Sequence, residues 1–252
     1  MSYLFSFSRT SVKIGNVFSK LVVDPQVYSF QPVYLINGFF LNNHPVILSE
    51  EGKLKLTMFG WGMIKEAALS HMDKLLEKQR THLFKARAEK VVGDSTSLWY
   101  GKRQNRILIP ATGFFEHREV RGFKSKVPYY VRLKERPMFF LPGLYNYTQL
   151  PGTNGGRIGT FTMISRNGNT VMKSIHNSGR FPHRMPLFLP ETLEREWLDP
   201  ALSDKELQDI LDYEIPSSAL EYYPVKSLYR ADPMDSTLID PVEYPGLPPV
   251  ET

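Results

Sequence analysis

Residues 106–117 read RILIPATGFFEH. Aliphatic and aromatic side chains crowd this run, and turn-forming Gly, Pro and Asn residues interrupt or bound it, which is the composition of β-strand. The same signature recurs on either side, in VYLINGFFL (33–41), KLTMFGWGMI (55–64), PYYVRLK (128–134), RPMFFLPGLYNY (136–147) and GTFTMIS (159–165). Helical signals are fewer. EAALSHMDKLLEKQR (66–80) sets Leu69, Met72 and Leu76 at helical spacing with charges elsewhere. Pro190 opens a helix expected to run through Trp197, and Ser203 with Glu206 forms a capping box ahead of Leu207, Ile210 and Leu211. Strands with helices inserted between them predict one α+β domain with a β-rich core. There is no internal repeat, low-complexity run or Gly/Ser linker. The closing DPVEYPGLPPVET is Pro-rich and is expected to lie as an extended or disordered tail, so the expected organisation is a domain over 1–240 and a tail over 241–252.

The chain has 252 residues, of which 42% are apolar and 13% aromatic, enough to bury a core and to exclude a disordered, collagenous or coiled-coil chain. It has no cysteine, which excludes disulfides, Cys-ligated zinc and a Cys nucleophile. No run approaches the ~18–20 apolar residues that span a bilayer, and the N-terminal MSYLFSFSRTSVKIGNVFSK lacks a small-residue cleavage site. A cytoplasmic protein with no membrane partner is therefore expected. The 31 Lys and Arg exceed the 26 Asp and Glu by five, a balance that permits a nucleic-acid partner without requiring one. Phosphate-loop, dinucleotide-fingerprint and nucleophile-elbow patterns are all absent from the sequence.

Three clusters hold the residues able to do chemistry: KARAEK (85–90), PATGFFEHRE (110–119) and SIHNSGRFPHRMPLFLP (174–190). Arg87 and Glu89 read either as solvated charges or as an ion pair worth under ~1 kcal/mol. Glu116 emerges from the apolar Gly113-Phe114-Phe115. It either pairs with an Arg or, buried among aromatics, becomes a candidate acid or base. His176 stands in a turn beside Asn177 and Gly179. It is an incidental loop residue unless a cleft joins it to a Glu, in which case it is a general acid/base candidate. His183 is its rival. The two histidines have no metal-ligand spacing and no carboxylate between them, so no metal is expected.

Taken together, these clusters resemble the SOS response-associated peptidase (SRAP) family, the abasic-site-sensing proteins. The family's N-A-R-x-E, P-x-x-G-F/Y-F/Y-E-W and I-H-x-R-M-P-x-I-L segments correspond to KARAE (85–89), PATGFFEH (110–117), and IHN followed by HRMPLFL (175–189). FGWGMI (59–64), VPYYVRLKERPMFFLPGLYN (127–146) and ISRNGNTVMKSIHN (164–177) are also similar, in the same order. The resemblance spans about residues 1–240. It implies a single SRAP-like domain, with a barrel-like β core and surrounding helices, whose partner is single-stranded DNA carrying abasic sites. In the family, a cysteine in second position is exposed at the N-terminus. Its α-amine condenses with the ring-opened aldehyde of the abasic site, and its thiol closes a stable thiazolidine. A Glu and a His move protons and Arg residues hold phosphates. No cofactor is implied, and a monomer is expected. Residue by residue, Glu116 matches the Glu, His176 the His, Arg87 the Arg of N-A-R and Arg184 the Arg of R-M-P. The stretch NSGRFPH between His176 and Arg184 is longer than in many members, which keeps His183 as an alternative to His176.

Two positions depart from the family pattern: Ser2 stands where the cysteine is, and Lys85 where the Asn is. The usual M-C-G-R-F start reads MSYLF, so the nearby Arg is missing as well. A hydroxyl is a far poorer nucleophile than a thiolate. The α-amine of an N-terminal Ser, with a pKa of about 7.7–8.0, still forms a reversible imine. Lys85 either pairs with Glu116 and disables the site, binds a phosphate, or acts as an amine nucleophile once burial lowers its pKa. The expected function is abasic-site recognition in the DNA-damage response, with crosslinking and self-processing weakened or lost. The expected catalytic set is Ser2, Lys85, Glu116 and His176, and the expected DNA contacts are Arg87 and Arg184. Lyase-like chemistry through an imine, and a non-catalytic scaffold that keeps only the fold, are the alternatives.

Overall fold

The computed structural model describes residues 4–10, 12–15, 17–18, 20–65, 80–149 and 156–252. Among these residues, thirteen strands form two sheets: β1 (Leu4–Phe7), β2 (Val22–Val23), β3 (Val33–Asn37), β4 (Asn43–Glu50), β5 (Lys53–Trp61), β6 (Lys85–Arg87), β7 (Arg106–Ala111), β8 (Gly113–Arg118), β9 (Val127–Leu133), β10 (Phe139–Gln149), β11 (Arg157–Asn167), β12 (Arg184–Pro186) and β13 (Leu220–Pro224). Three helices matter to the architecture: α1 (Thr170–Ile175), α2 (Glu191–Trp197) and α3 (Asp204–Asp212).

The run RILIPATGFFEH divides into two strands that serve both sheets. β7 pairs with β10 and β4 in the first sheet. Past Thr112 the chain enters β8, which pairs with β9 and β1 in the second. The Thr112 N–H donates to the Ser6 carbonyl at 2.8 Å, which joins the sheets at the crossover. Gly113 is required there, because a Cβ would sit 2.2 Å from the Tyr130 ring.

Strands β11, β10, β7, β4 and β5 are antiparallel neighbours in that order. A parallel contact between β5 and β11, with Thr160 opposite Gly60 and Phe161 opposite Trp61, closes them into a five-stranded barrel. The second sheet runs β13-β9-β8-β1-β3. Barrel strands bury side chains on both faces, so they read as continuous apolar runs rather than alternating ones. In β4, Val46 and Leu48 pack with Phe5, Phe114 and Val131 of the second sheet, while Ile47 packs with Trp197, Leu207 and Ile210 of the covering helices. This is an α+β fold with a barrel core.

The helical signals at 190–211 match α2 and α3. Pro190 is the residue before the first turn of α2, and the Ser203–Glu206 capping box is formed in both directions. The helix expected over 66–80 lies outside the described residues except at its last position. Two strand expectations are corrected at their ends. The run 33–41 stops at Asn37, whose Oδ1 accepts from the Phe39 N–H at 3.0 Å and starts a 3-10 turn. The run 55–64 stops at Trp61, because Gly62 turns the chain at φ +93°. Residues 241–252 turn at 245–246, where Gly246 has φ +76° and the Leu247 N–H donates to the Tyr244 carbonyl at 3.0 Å, and pack Tyr244, Leu247 and Val250 against the core. The Arg118 guanidinium donates to the carbonyls of Pro248 (2.6 Å) and Pro249 (2.9 Å), and the Glu251 N–H donates to Ser174 Oγ (3.2 Å). Among the described residues, no helix is long and apolar enough to cross a membrane.

Candidate functional site

The C-terminal half of β11 extends beyond the barrel and organises a cleft. On one side Ser165 pairs with Arg87 of β6, and on the other Asn167 pairs with Arg184 of β12. β6 is held on either side of Lys85. The Phe84 carbonyl accepts from the Met163 N–H and from Trp61 Nε1, each at 3.0 Å, and the Ala86 carbonyl accepts from Ser165 Oγ at 3.2 Å. Strand alternation buries Ala86 in the core and turns Lys85 and Arg87 to the cleft.

The cleft is open and has a volume of about 900 Å³. β8 brings Glu116 and His117 to it, β6 brings Lys85 and Arg87, β12 brings Arg184, and the C-cap of α1 brings His176. Thus five of the six expected site residues line one cavity, although they span residues 85–184 in sequence. The sixth, Ser2, lies outside the described residues. Leu4, two positions later, also lines the cleft.

Glu116 is 3% exposed and His176 5%, so both sit at the floor. Glu116 Oε1 accepts from the His117 N–H at 3.0 Å. His176 Nδ1 accepts from the Arg184 N–H at 3.0 Å, which leaves the ring proton of the neutral form on Nε2. Burial lowers the His176 pKa to about 4, against the opposing pull of the Glu116 charge. The imidazole is therefore neutral at physiological pH. Burial likewise lowers Lys85 to about 8, with Glu116 raising it and Arg184 lowering it further. His117 is lowered by burial too.

Arg184 is committed to its own surroundings. Its guanidinium makes a forked pair with Glu89 (2.6 and 3.1 Å) and donates to Asn167 Oδ1 (2.8 Å) and the Ser165 carbonyl (2.7 Å). Its backbone meanwhile orients His176. Arg87 lies over the Phe181 ring at 4.6 Å. His183, the rival histidine, is not a lining residue, and its Nδ1 meets the Lys173 carbonyl at 3.1 Å.

Sequence reasoning did not single out Lys126, Arg180, Phe181 or Phe39, all of which line the cleft. Arg180 and Phe181 ride on the long stretch 177–183, whose ends are pinned by the His183 N–H donating to the His176 carbonyl at 2.7 Å. The length of that stretch was the only available signal. Among the described lining residues, Lys85, Arg87, Lys126, Arg180 and Arg184 face a single carboxylate, Glu116. Such a balance draws in a polyanion. No group of three or more His, Asp or Glu residues among those described is arranged to hold a metal ion.

The family model described as SOS response associated peptidase (SRAP) matches residues 5–230. The chain is 29% identical over 185 residues to abasic site processing protein YoqW of Bacillus subtilis (strain 168), covering 73% of this chain and 75% of that protein. It is 26% identical over 148 residues to abasic site processing protein YMR114C of Saccharomyces cerevisiae, covering 56% of this chain and 36% of that protein. The crystal structure of a Bacteroides thetaiotaomicron protein shares the fold, with a TM-score of 0.83 and 24% identity over 96% of this chain and all of that one. A phage-related protein from Bordetella bronchiseptica does so with a TM-score of 0.63 and 21% identity, over 90% of this chain and 95% of that one.

Proposed function

This chain belongs to the SOS response-associated peptidase (SRAP) family, and on that premise we propose that its cleft recognises abasic sites in single-stranded DNA during the response to DNA damage. The observation that carries the reading is the joint burial of Glu116 and His176 at the floor of a cleft whose described walls hold five Lys and Arg residues. The names of the relatives YoqW and YMR114C point to the same substrate.

A deoxyribose that has lost its base is a cyclic hemiacetal in equilibrium with a ring-opened C1′ aldehyde. In this reading the cationic walls hold the flanking phosphates, chiefly through Arg87, and the abasic sugar reaches the floor. Arg184 contributes by orienting His176 and by its charge. Glu116 relays protons at the aldehyde, and the neutral His176 donates a hydrogen bond from Nε2 to the oxygen that forms there. An amine then adds reversibly to the aldehyde. With Ser2 in place of a cysteine there is no thiol to close a thiazolidine, so a durable crosslink is not expected, and self-processing is expected to be weak for the same reason.

Fluorescence anisotropy tests the reading with a labelled single strand carrying one abasic site, the intact strand and the matching duplex. The abasic strand is expected to bind at least several-fold more tightly than either of the others, and affinity should fall as salt rises. Equal affinity for abasic and intact strands at modest salt overturns it and leaves a scaffold role as the better reading.

A further inference from the structure

We infer that the amine that bonds to the aldehyde in this protein is the side-chain amine of Lys85. The inference rests on the abasic-site reading above and assigns its reactive atom. It concerns a position at which this chain departs from its family's usual Asn.

The geometry supports it in three ways. First, Lys85 is carried by a strand whose backbone is fixed on either side, at the Phe84 and Ala86 carbonyls. Alternation along that strand commits the side chain to the cleft. Second, it stands within the electrostatic reach of Glu116, the cleft carboxylate, and of Arg184, which opposes its protonation. Third, Arg87 on the same strand face and Arg180 both lie against the Phe181 ring, 4.6 and 5.2 Å from its centroid, so two guanidinium groups stand together in the cleft to take phosphate beside an opened sugar.

An ordinary lysine, with a pKa near 10.4, is a poor competitor for an aldehyde beside an α-amine at about 7.7–8.0. Burial removes that handicap here, since Lys85 is lowered to about 8. With its basicity brought down towards that of an α-amine, position decides between the two, and Lys85 is fixed on β6 with its side chain in the cleft.

The step balances as follows. The Nζ lone pair bonds to the aldehyde carbon, C1′ of the ring-opened 2-deoxyribose. One proton passes from nitrogen to the new oxygen through Glu116, giving a carbinolamine. A second proton, from solvent, lets that oxygen leave as water as the C–N double bond forms. The product is a protonated imine, which water reverses or an added hydride donor captures as a secondary amine.

Two trapping arms test this on the full chain. In the first, an abasic single strand is incubated with cyanoborohydride, and the adduct is mapped by peptide mass spectrometry. The adduct is expected on the peptide containing Lys85. Lys85→Arg, which keeps the charge, is expected to lose at least tenfold in trapped yield, well beyond any change in its affinity for the abasic strand measured without reductant. Adduct on the N-terminal amine, or undiminished trapping by Lys85→Arg, overturns the inference and leaves the abasic-site reading standing. In the second arm 2-deoxyribose 5-phosphate replaces the DNA, so the readout does not depend on strand recognition. Preferential labelling of Lys85 over the other lysines supports its reactivity even if the DNA reading fails. Labelling of Lys85 no greater than that of exposed lysines overturns the inference. Should Lys85→Arg fold poorly by circular dichroism, the maps of the unsubstituted chain decide alone.

Discussion

Two buried carboxylates, Glu194 on a helix packed against the barrel and Glu116 on β8 of the second sheet, do different things. Glu194 of α2 is 1% exposed, and its charge is settled locally. Oε2 accepts from Arg136 at 2.7 Å and Oε1 from the Phe140 N–H at 2.9 Å, which ties the helix to β10. Glu116 is nearly as buried, yet it faces a cleft and acts on three titratable neighbours, Lys85, His117 and His176. The histidines make a similar pair. His44 and His176 are both lowered to about 4, in each case chiefly by burial. His44 is enclosed by Phe5, Phe7 and Phe30 with Nε2 against the Pro110 carbonyl at 3.0 Å, whereas His176 opens onto the cavity. Burial alone therefore does not separate structure from function. What separates them is whether the partners of the buried group close around it or leave a face towards solvent and ligand.

Four substitutions or titrations sharpen this contrast. Glu194→Ala strands Arg136 and the Phe140 N–H, and is expected to cost about 3–5 kcal/mol in urea unfolding, with little change in DNA affinity per folded molecule. Glu116→Gln is expected to do the reverse. Imine trapping should slow by about a hundredfold, equivalent to ~2.7 kcal/mol in the barrier, while the unfolding midpoint moves far less than in Glu194→Ala. If Glu116→Gln destabilises as much as Glu194→Ala and traps normally, the two carboxylates are alike and the contrast fails.

Acid titration separates the histidines. A histidine whose folded pKa lies below its unfolded value binds fewer protons when folded, so its contribution falls as pH drops from about 6.5 to about 4. Stability is expected to decline across that window, by an amount on the order of 3 kcal/mol for His44. His44→Phe should flatten this part of the profile, and an unchanged slope would assign the loss to His176 and the cleft. The smallest effect is expected at the rim. Arg180→Ala should weaken single-strand binding a few-fold and reduce the salt slope by about 0.7, equally for abasic and intact strands, as befits one lost phosphate contact.

Much of the barrel was legible because long strands carry their own signal. β9, β10 and β11 are legible within a few residues, and β7 and β8 as one undivided run, since each is dense in β-branched or aromatic side chains. β4 is not, because Pro45 breaks its run of strand formers. β6 and β12 are not either, since three residues are too few to show a period. Those two short strands nevertheless deliver Lys85, Arg87 and Arg184 to the cleft. The residues were legible as motifs while the elements that carry them were not.

The sequence by itself determined the α+β class, the capping box at Ser203, the family, and a set of chemically able residues in three separate clusters. It also determined that no thiol is available at any position. Only the tertiary structure decided that β5 closes onto β11, that Arg184 spends its guanidinium on Glu89 while its backbone orients His176, and that His176 rather than His183 shares a cleft with Glu116. It also decided that desolvation in the cleft lowers the Lys85 pKa to about 8. The physical reason is one of range. Propensity, capping and strand composition act between near neighbours. Desolvation, charge coupling and the enclosure of a cleft depend on groups about a hundred residues apart, which meet only once the barrel has closed.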